Sequence, residues 1–268
     1  GASDLALVHS KGALFISAHS PTRDISVLIP FFNEEGNVLP LLEEVTQSLD
    51  GLNFEIVCVN DASDDKTAEE LAEARTNWPD RVKVMSHVDR CGKSAALFTG
   101  LRVVDGLWVQ LLDGDGQNDP ADCRRLYDTH LANGAPERLG LIAGRRTSRN
   151  DSGFKWLQSR VANGVRRFCL KDDVKDTGCG FKLLRTRAFK DLPYFASMHR
   201  FLPALIKRAG WDVIEEPVND RKRWHGQSKY GFFDRLFAGI FDLLGMMWLV
   251  RRGGYGIAAE SDDPRLKD

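Results

Sequence analysis

Two aspartates, Asp113 and Asp115, stand one residue apart directly after the apolar run at 107–112. A carboxylate at the end of a buried strand is costly to desolvate unless a positive group neutralises it. A hard divalent cation such as Mg²⁺ can do so, because it takes one or two carboxylates and fills its other positions with water and phosphate oxygens. The pattern therefore indicates a metal site, and a polar turn with two solvated aspartates is the alternative.

Apolar strands and amphipathic helices alternate through the first half of the chain, joined by short polar segments. The apolar runs are near-continuous, which is typical of parallel strands buried on both faces. Such alternation predicts an α/β protein with a largely parallel, doubly wound sheet flanked by helices. We expect strands at 25–30, 54–59, 82–85 and 107–112, and helices at 38–49, 68–74 and 94–104.

Four pairs of residues fall at the carboxyl ends of those strands, where open α/β sheets bind their ligands. The convergence of so many acidic and polar groups on one edge is harder to explain by solvation than any single one of them. The pairs are Asn33 with Glu35, Asp61 with Asp65, Gly92 with Lys93, and Asp113 with Asp115.

Composition limits the class of protein. The 268 residues suffice for one large α/β domain or two small ones, and the formal net charge of −1 gives no reason to expect nucleic acid as a partner. The five cysteines are scattered without a Cys-x-x-Cys pair, which favours a reducing compartment over a disulfide scaffold or a zinc site. Residues 1–24 lack a long apolar core, so we expect no secretory signal within them.

Five ordered motifs resemble those of the family 2 glycosyltransferases with the nucleotide-sugar-binding GT-A fold. The first three are IPFFNEE (29–35), VNDASDDKT (59–67) and LLDGDGQNDP (111–120). The last two, DTGCGF (176–181) and RWHGQSKYG (223–231), are similar to the subgroup of polyprenyl-phosphate sugar transferases to which dolichol-phosphate mannose synthase belongs.

The resemblance implies an inverting hexosyltransferase that takes a single sugar from a UDP- or GDP-sugar with Mg²⁺ or Mn²⁺ as cofactor. The candidate metal ligands are Asp113, Asp115 and Gln117, and the candidate catalytic residues are Asp113, Asp115 and Asp176. Asp176 could shape the acceptor side or serve as a base in an alternative mechanism. Asp61 is alternatively a residue of a helix N-terminal turn, and Asp176 a turn-capping aspartate. The nucleotide sugar would contact Pro30, Phe32, Asn33, Glu35, Asp61, Asp65, Gly92, Lys93, Asp113 and Gly114.

The implied acceptor is a polyprenyl phosphate, undecaprenyl or dolichyl, and the product a lipid-linked sugar for cell-envelope glycan or lipid modification. A phosphate monoester is already an anion at neutral pH, so it needs a cationic pocket more than a general base. A solvated basic face is the alternative for each basic residue. The candidates for the pocket are Arg145, Lys155, Ser159, Arg160, Arg223, Ser228 and Lys229.

Two rival functions remain open from the sequence. One is a family 2 glycosyltransferase that acts on a glycan or a soluble hydroxyl acceptor, which would not respond to a lipid phosphate. The other is a non-catalytic nucleotide-sugar-binding protein, which would bind the donor without turnover.

The C-terminal part of the chain predicts how the protein meets the membrane. No run reaches the ~20 apolar residues of a spanning helix, yet the apolar positions from 233 to 248 fit one helical face. Such a helix, followed by Arg251 and Arg252, fits peripheral binding to the cytoplasmic face of a membrane. A core-packing or dimer-forming helix is the alternative, so a homo-oligomer stays open. We divide the chain into an extension (1–24), a GT-A domain (25–231), this helix (232–252) and a polar tail (253–268).

Overall fold

The computed structural model of the chain describes residues 22–147, 164, 166–167, 169–170, 174–223 and 232–252. In the last of these segments the side chains are described at 239 and 241–252. The predicted extension, apart from its last residues, and the predicted polar tail lie outside the described residues.

The described residues form one seven-stranded sheet. Its strands are β1 (Arg23–Phe31), β2 (Phe54–Asn60), β3 (Val82–Ser86), β4 (Gly106–Leu111), β5 (Leu139–Arg146), β6 (Lys182–Arg185) and β7 (Asp212–Val218). The spatial order is β3-β2-β1-β4-β6-β5-β7. Strands β1 to β4 run parallel, as do β5 and β7, whereas β6 is antiparallel to both of its neighbours. The expected largely parallel sheet is therefore confirmed, with one reversed strand that the sequence did not indicate.

In the first half of the chain, each of the strands β1 to β4 is followed by a helix. The described helices include α1 (Val38–Ser48), α2 (Thr67–Asn77), α3 (Lys93–Leu101), α4 (Pro120–His130), α5 (Thr186–Lys190), α6 (Leu202–Arg208) and α7 (Phe232–Arg252). Helix α4 begins with a side-chain cap, because Asp119 Oδ1 accepts a hydrogen bond of 3.0 Å from the Ala121 N–H. Pro120 then occupies the first helical position, where its missing N–H costs nothing.

Alternate residues of the central strands supply two apolar cores, one on each face of the sheet. In β1, Val27 and Ile29 join the core that contains Leu41 of α1, while Leu28 joins the opposite core with Leu97 of α3. Successive strand side chains point to opposite faces, so a strand buried on both sides is apolar at every position. This explains the continuous apolar runs and fixes which strand ends reach the same edge.

Helix α7 packs against the second core with one face and leaves other apolar residues exposed. Met246 is only 1% exposed and belongs to that core. Phe241, Leu244 and Trp248 are 74%, 56% and 63% exposed, and we call these three residues the α7 stripe. The predicted core-packing role is thus present in part of the helix. Within the described residues, no helix has the length and apolar character needed to cross a membrane.

Candidate active site

A cleft of about 690 Å³ opens where β1, β2 and β4 end. The strand order places these three ends side by side, so the polar residues that follow them meet at one edge. The predicted site residues that line the cleft are Pro30, Phe32, Asp61, Gly92, Lys93, Asp113, Gly114, Asp115 and Arg223.

Asp113 enters the cleft directly after β4 and is paired with the first residue of α3. Lys93 Nζ forms an ion pair with Asp113 Oδ1, and the Asp113 N–H donates to Asn118 Oδ1 at 3.0 Å. Burial raises the pKa of Asp113, but the Lys93 ammonium, helped by the charge of Lys182, outweighs burial and holds that pKa below its usual value. Asp113 is therefore an anion at neutral pH.

Asp115 is more deeply buried than Asp113, with 6% of its surface exposed. Its Oδ2 accepts a hydrogen bond of 2.7 Å from Arg223 Nη2, and its Oδ1 accepts one of 3.1 Å from the Gln117 N–H. Burial, followed by the charge of Asp113, raises the pKa of Asp115 despite these two donors. A second anion beside Asp113 is thus unfavourable unless additional positive charge is present.

The donor set of this pair fits a divalent cation. Two carboxylates from one turn, on the wall of an open cleft, provide the oxygen ligands that Mg²⁺ or Mn²⁺ prefers and leave room for water or phosphate oxygens. Gln117 contributes its backbone N–H to Asp115 and its carbonyl oxygen to the Arg221 N–H. Its side chain lies outside the described lining of the cleft, so its role as a metal ligand stays a prediction.

Asp61 shapes the loop that precedes α3. Its Oδ2 accepts from the Gly92 N–H at 2.8 Å, and its Oδ1 accepts from the Cys91 N–H at 2.8 Å and lies 2.7 Å from His87 Nδ1. Burial raises the pKa of Asp61, but the hydrogen bonds from these three residues outweigh it and hold the pKa below its usual value.

Asp61, His87 and Cys91 also bring three potential metal-ligand atoms within 4.8 Å of one another. Asp61 joins His87 and Cys91 to each other through its hydrogen bonds, and we interpret this group as the support of the loop. The alternative of a helix N-terminal turn applies better to Asp65, whose Oδ1 accepts a hydrogen bond from the Thr67 N–H at the start of α2.

Three predicted nucleotide contacts lie beside the cleft and connect two loops. Asn33 Oδ1 accepts a hydrogen bond of 3.0 Å from the Asp64 N–H, and the Glu35 N–H donates to Asp65 Oδ2 at 3.1 Å. These bonds tie the loop after β1 to the loop after β2. Contact of Asn33, Glu35 and Asp65 with a nucleotide stays a prediction.

Asp176 forms a buried ion pair with Arg146 at the end of β5. The two bonds measure 2.8 Å from Nε to Oδ2 and 2.9 Å from Nη2 to Oδ1, and Asp176 is 5% exposed. This bidentate geometry orients the Gly-rich turn at 176–180. Asp176 lies outside the described lining of the cleft, and its catalytic role stays a prediction.

That turn brings Gly180 against Asp113 so closely that a side chain there has no space. A Cβ atom at Gly180 would lie 2.1 Å from Asp113 Oδ2. Gly180→Ala is therefore expected to displace Asp113 and to weaken Mn²⁺ binding by about tenfold to a hundredfold, the usual range for residues that support metal ligands. Isothermal calorimetry with Mn²⁺ measures the effect.

Gly178→Ala is the matched control, because its Cβ would meet its nearest neighbour, Arg146 Nη2, at an ordinary 3.4 Å. It should bind Mn²⁺ as the unaltered chain does. Equal Mn²⁺ affinity in both alanine variants would contradict the role of Gly180.

The predicted phosphate pocket is described only in part. Arg223 lines the cleft, and Arg145 is exposed at the end of β5, outside the described lining. The remaining candidates lie outside the described residues: Lys155, Ser159, Arg160, Ser228 and Lys229.

The sequence did not single out several residues that line the cleft. Arg90 places its guanidinium carbon 4.0 Å from the centre of the Phe32 ring, next to Cys91. Ser94 lies in α3, and a distant segment contributes Ala196, Ser197, His199 and Arg200. No spacing in the sequence marks His199 as part of the site, because packing of its segment brings it to the cleft.

Comparison with known proteins places this geometry in a family. The family model Glycosyl transferase family 2 matches residues 26–193. The undecaprenyl-phosphate 4-deoxy-4-formamido-L-arabinose transferase of Edwardsiella ictaluri is 31% identical over 222 residues, which are 82% of this chain and 66% of that protein. The dodecaprenyl-phosphate galacturonate synthase of Rhizobium johnstonii is 30% identical over 233 residues, 85% of this chain and 68% of that protein. The chain thus spans about two thirds of the length of these curated relatives.

Solved structures share the fold at lower identity. Glucosyl-3-phosphoglycerate synthase from Mycobacterium tuberculosis, in complex with Mn²⁺, UDP and phosphoglyceric acid, has a TM-score of 0.64 and 19% identity over 90% of this chain and 81% of its own. A mannosyltransferase from Pyrobaculum calidifontis with GDP-Man and Mn²⁺ has a TM-score of 0.62 and 19% identity over 88% and 67%. The expected GT-A fold is confirmed.

Proposed function

Because this chain belongs to glycosyl transferase family 2 and is a glycosyltransferase, we propose that it transfers one sugar from a nucleoside-diphosphate sugar to a polyprenyl phosphate. The observation that carries the proposal is that two neighbouring carboxylates of the cleft each lie beside a cation, Asp113 beside Lys93 and Asp115 beside Arg223. Such a site can hold anionic donor and acceptor groups together. The acceptor class is supported by the two relatives, which are named for undecaprenyl and dodecaprenyl phosphate.

On the donor side, the cleft has groups suited to the base and to the diphosphate of a UDP- or GDP-sugar. Pro30 and Phe32 form apolar walls for the base, beside the loop that Asp61 supports. The N-terminus of α3, with Lys93, offers positive charge to the diphosphate. A divalent cation, Mg²⁺ or Mn²⁺, held by Asp113 and Asp115 would neutralise the departing diphosphate.

On the acceptor side, the phosphate needs to be positioned rather than deprotonated. A guanidinium forms strong, directional hydrogen bonds to a phosphate, and Arg223 is the predicted acceptor residue that the described cleft wall contains. A phosphate oxygen attacks the anomeric carbon while the bond from that carbon to the diphosphate breaks, which releases the nucleoside diphosphate and inverts the configuration. No general base is required, so Asp176 can serve the turn through its pair with Arg146.

Turnover with a matched pair of acceptors tests the proposal. The protein is incubated with UDP- and GDP-sugars, Mn²⁺ or Mg²⁺, and either undecaprenyl phosphate or undecaprenol, and lipid-linked sugar is separated by chromatography. We expect product with undecaprenyl phosphate and none with undecaprenol. Excess chelator should abolish product formation, and added Mn²⁺ or Mg²⁺ should restore it. Transfer to hydroxyl acceptors without any response to the phosphate, or donor binding without turnover, would instead support one of the two rival functions.

The proposed acceptor also implies a role for the exposed apolar residues of the α7 stripe. A polyprenyl phosphate resides in a bilayer, so the cleft has to reach a lipid surface. We propose that the stripe lies on the cytoplasmic face of a membrane as a peripheral contact, with the exposed Arg251 and Arg252 near anionic headgroups. The product would then be a lipid-linked sugar for cell-envelope modification.

A further inference from the structure

A histidine on the wall of the cleft is not among the metal ligands or the phosphate contacts assigned above. His199 lines the cleft, and its Nδ1 lies 2.8 Å from Ser94 Oγ. The His199 backbone N–H donates to the same oxygen at 3.4 Å. Ser94 is 4% exposed and is the second residue of α3. One buried hydroxyl therefore fixes both the main chain and the ring of His199.

The segment that carries His199 is held in a strained conformation. Ser197, which also lines the cleft, has a φ of 65°, a left-handed value that costs free energy in a residue other than glycine. The Arg200 N–H donates to the Ser197 carbonyl at 3.1 Å, and Met198 is 3% exposed in the core. This hydrogen bond and the buried Met198 hold the backbone of the cleft wall in this conformation.

Consecutive residues at the start of α3 contact three different parts of the site. Gly92 donates to Asp61 in the part assigned to the base. Lys93 pairs with Asp113 in the part assigned to the diphosphate, and Ser94 contacts His199. A nucleotide sugar bound across these three contacts has its base beside Asp61, its diphosphate beside Lys93 and its sugar beside His199.

The surroundings of His199 suit an uncharged ligand group. Burial, then the charges of Lys93, Arg200 and Lys182, lower the pKa of His199 well below its usual value, although Asp113 opposes them. Positive charge on the ring is therefore unfavourable, which suits an uncharged ligand group better than a phosphate. With Nδ1 engaged by Ser94, Nε2 is the ring atom left for a hydroxyl group.

We propose that His199, oriented by Ser94, binds a hydroxyl group of the donor sugar through Nε2 and contributes to the choice of sugar. This inference rests on the proposed donor function. It assigns Ser94 as the residue that positions the ring, and the 196–200 segment as the wall against which the sugar lies.

Calorimetry with Mn²⁺ separates sugar binding from nucleotide binding. The probes are UDP, UDP-glucose, GDP and GDP-mannose, and the readout is the affinity ratio between each sugar nucleotide and its free diphosphate. For the preferred sugar nucleotide, His199→Ala should lower this ratio by about tenfold, as expected for the loss of one hydrogen bond in a desolvated site, with free diphosphate affinity unchanged. Ser94→Ala should lower it less, and His199→Gln, which keeps an amide donor, should retain part of it.

His130→Ala is the matched control, because His130 Nε2 lies 2.9 Å from Glu216 Oε1 and outside the cleft lining. If His199→Ala fails to fold, His199→Gln and Ser94→Ala carry the test. An unchanged ratio in the His199 and Ser94 variants overturns this inference alone, and so does an equal loss for sugar nucleotide and free diphosphate. If the unaltered protein binds none of the four nucleotides, the proposed function falls and this inference with it.

Discussion

Asp115→Asn is expected to lower sugar transfer by about a thousandfold, because the departing diphosphate loses its charge partner when the metal site loses a carboxylate. The amide keeps the size of the side chain and can still accept the hydrogen bond from the Gln117 N–H. Activity should therefore fall through the missing negative charge rather than through a changed shape. Initial rates at saturating Mn²⁺ and undecaprenyl phosphate measure the effect.

The same substitution should leave the fold stable. Burial and the charge of Asp113 raise the pKa of Asp115 in the folded protein above its value in the unfolded chain. The folded state thus holds the proton more tightly, and the charged carboxylate costs stability at pH values above the unfolded pKa. Removing that charge relieves this cost, while the loss of the charged pair with Arg223 acts in the opposite direction. We expect little change in the thermal midpoint at neutral pH.

Asp119→Asn is the matched control, since it makes the same change four residues away. Asp119 caps α4, a position in which asparagine serves as well as aspartate. It should retain activity and stability. Substantial turnover by Asp115→Asn, or equal losses in both variants, would contradict the metal role of Asp115.

The sequence predicted the first half of the fold because its strands are apolar on both faces and joined by short helices. The expected strand at 54–59 is observed as Phe54–Asn60, and the helix at 68–74 as Thr67–Asn77. The antiparallel strand β6 could not be predicted from the sequence around it. It is four residues long, and it contains Lys182, which pairs in register with Leu111 about seventy positions earlier. Such pairing depends on long-range packing rather than on local periodicity.

In the candidate site, too, residues at strand ends could be predicted from the sequence, whereas residues brought in by long-range packing could not. Asp61 and Asp113 were predictable, because strand ends in a parallel sheet share an edge. His199 was not, because it reaches the cleft only through the packing of its segment beside Ser94. For Asn33, the predicted position after a strand is observed, but its described hydrogen bonds connect two loops, and its predicted contact with the nucleotide stays a prediction.

Replacing the α7 stripe with Phe241→Ser, Leu244→Ser and Trp248→Ser should weaken binding to anionic vesicles about a hundredfold. Each apolar side chain that leaves water for an interface contributes roughly 1 kcal/mol or more, and three of them reach this factor. The residues are already exposed, so the free energy of unfolding should change little. Co-sedimentation with phosphatidylcholine vesicles containing phosphatidylglycerol measures binding, and thermal unfolding checks the fold.

The arginines at the end of α7 should add a part of the binding that depends on salt. Arg251→Gln with Arg252→Gln should weaken vesicle binding most at low ionic strength, because salt screens the attraction to anionic headgroups. Leu107→Ser, at the exposed amino end of β4, is the control for a lost apolar residue away from the proposed contact. Deleting the whole helix would not separate the alternatives, because it removes Met246 from the core. If the stripe variant instead dissociates an oligomer in sedimentation velocity, and the unaltered protein does not bind vesicles, the stripe is a protein interface rather than a membrane contact.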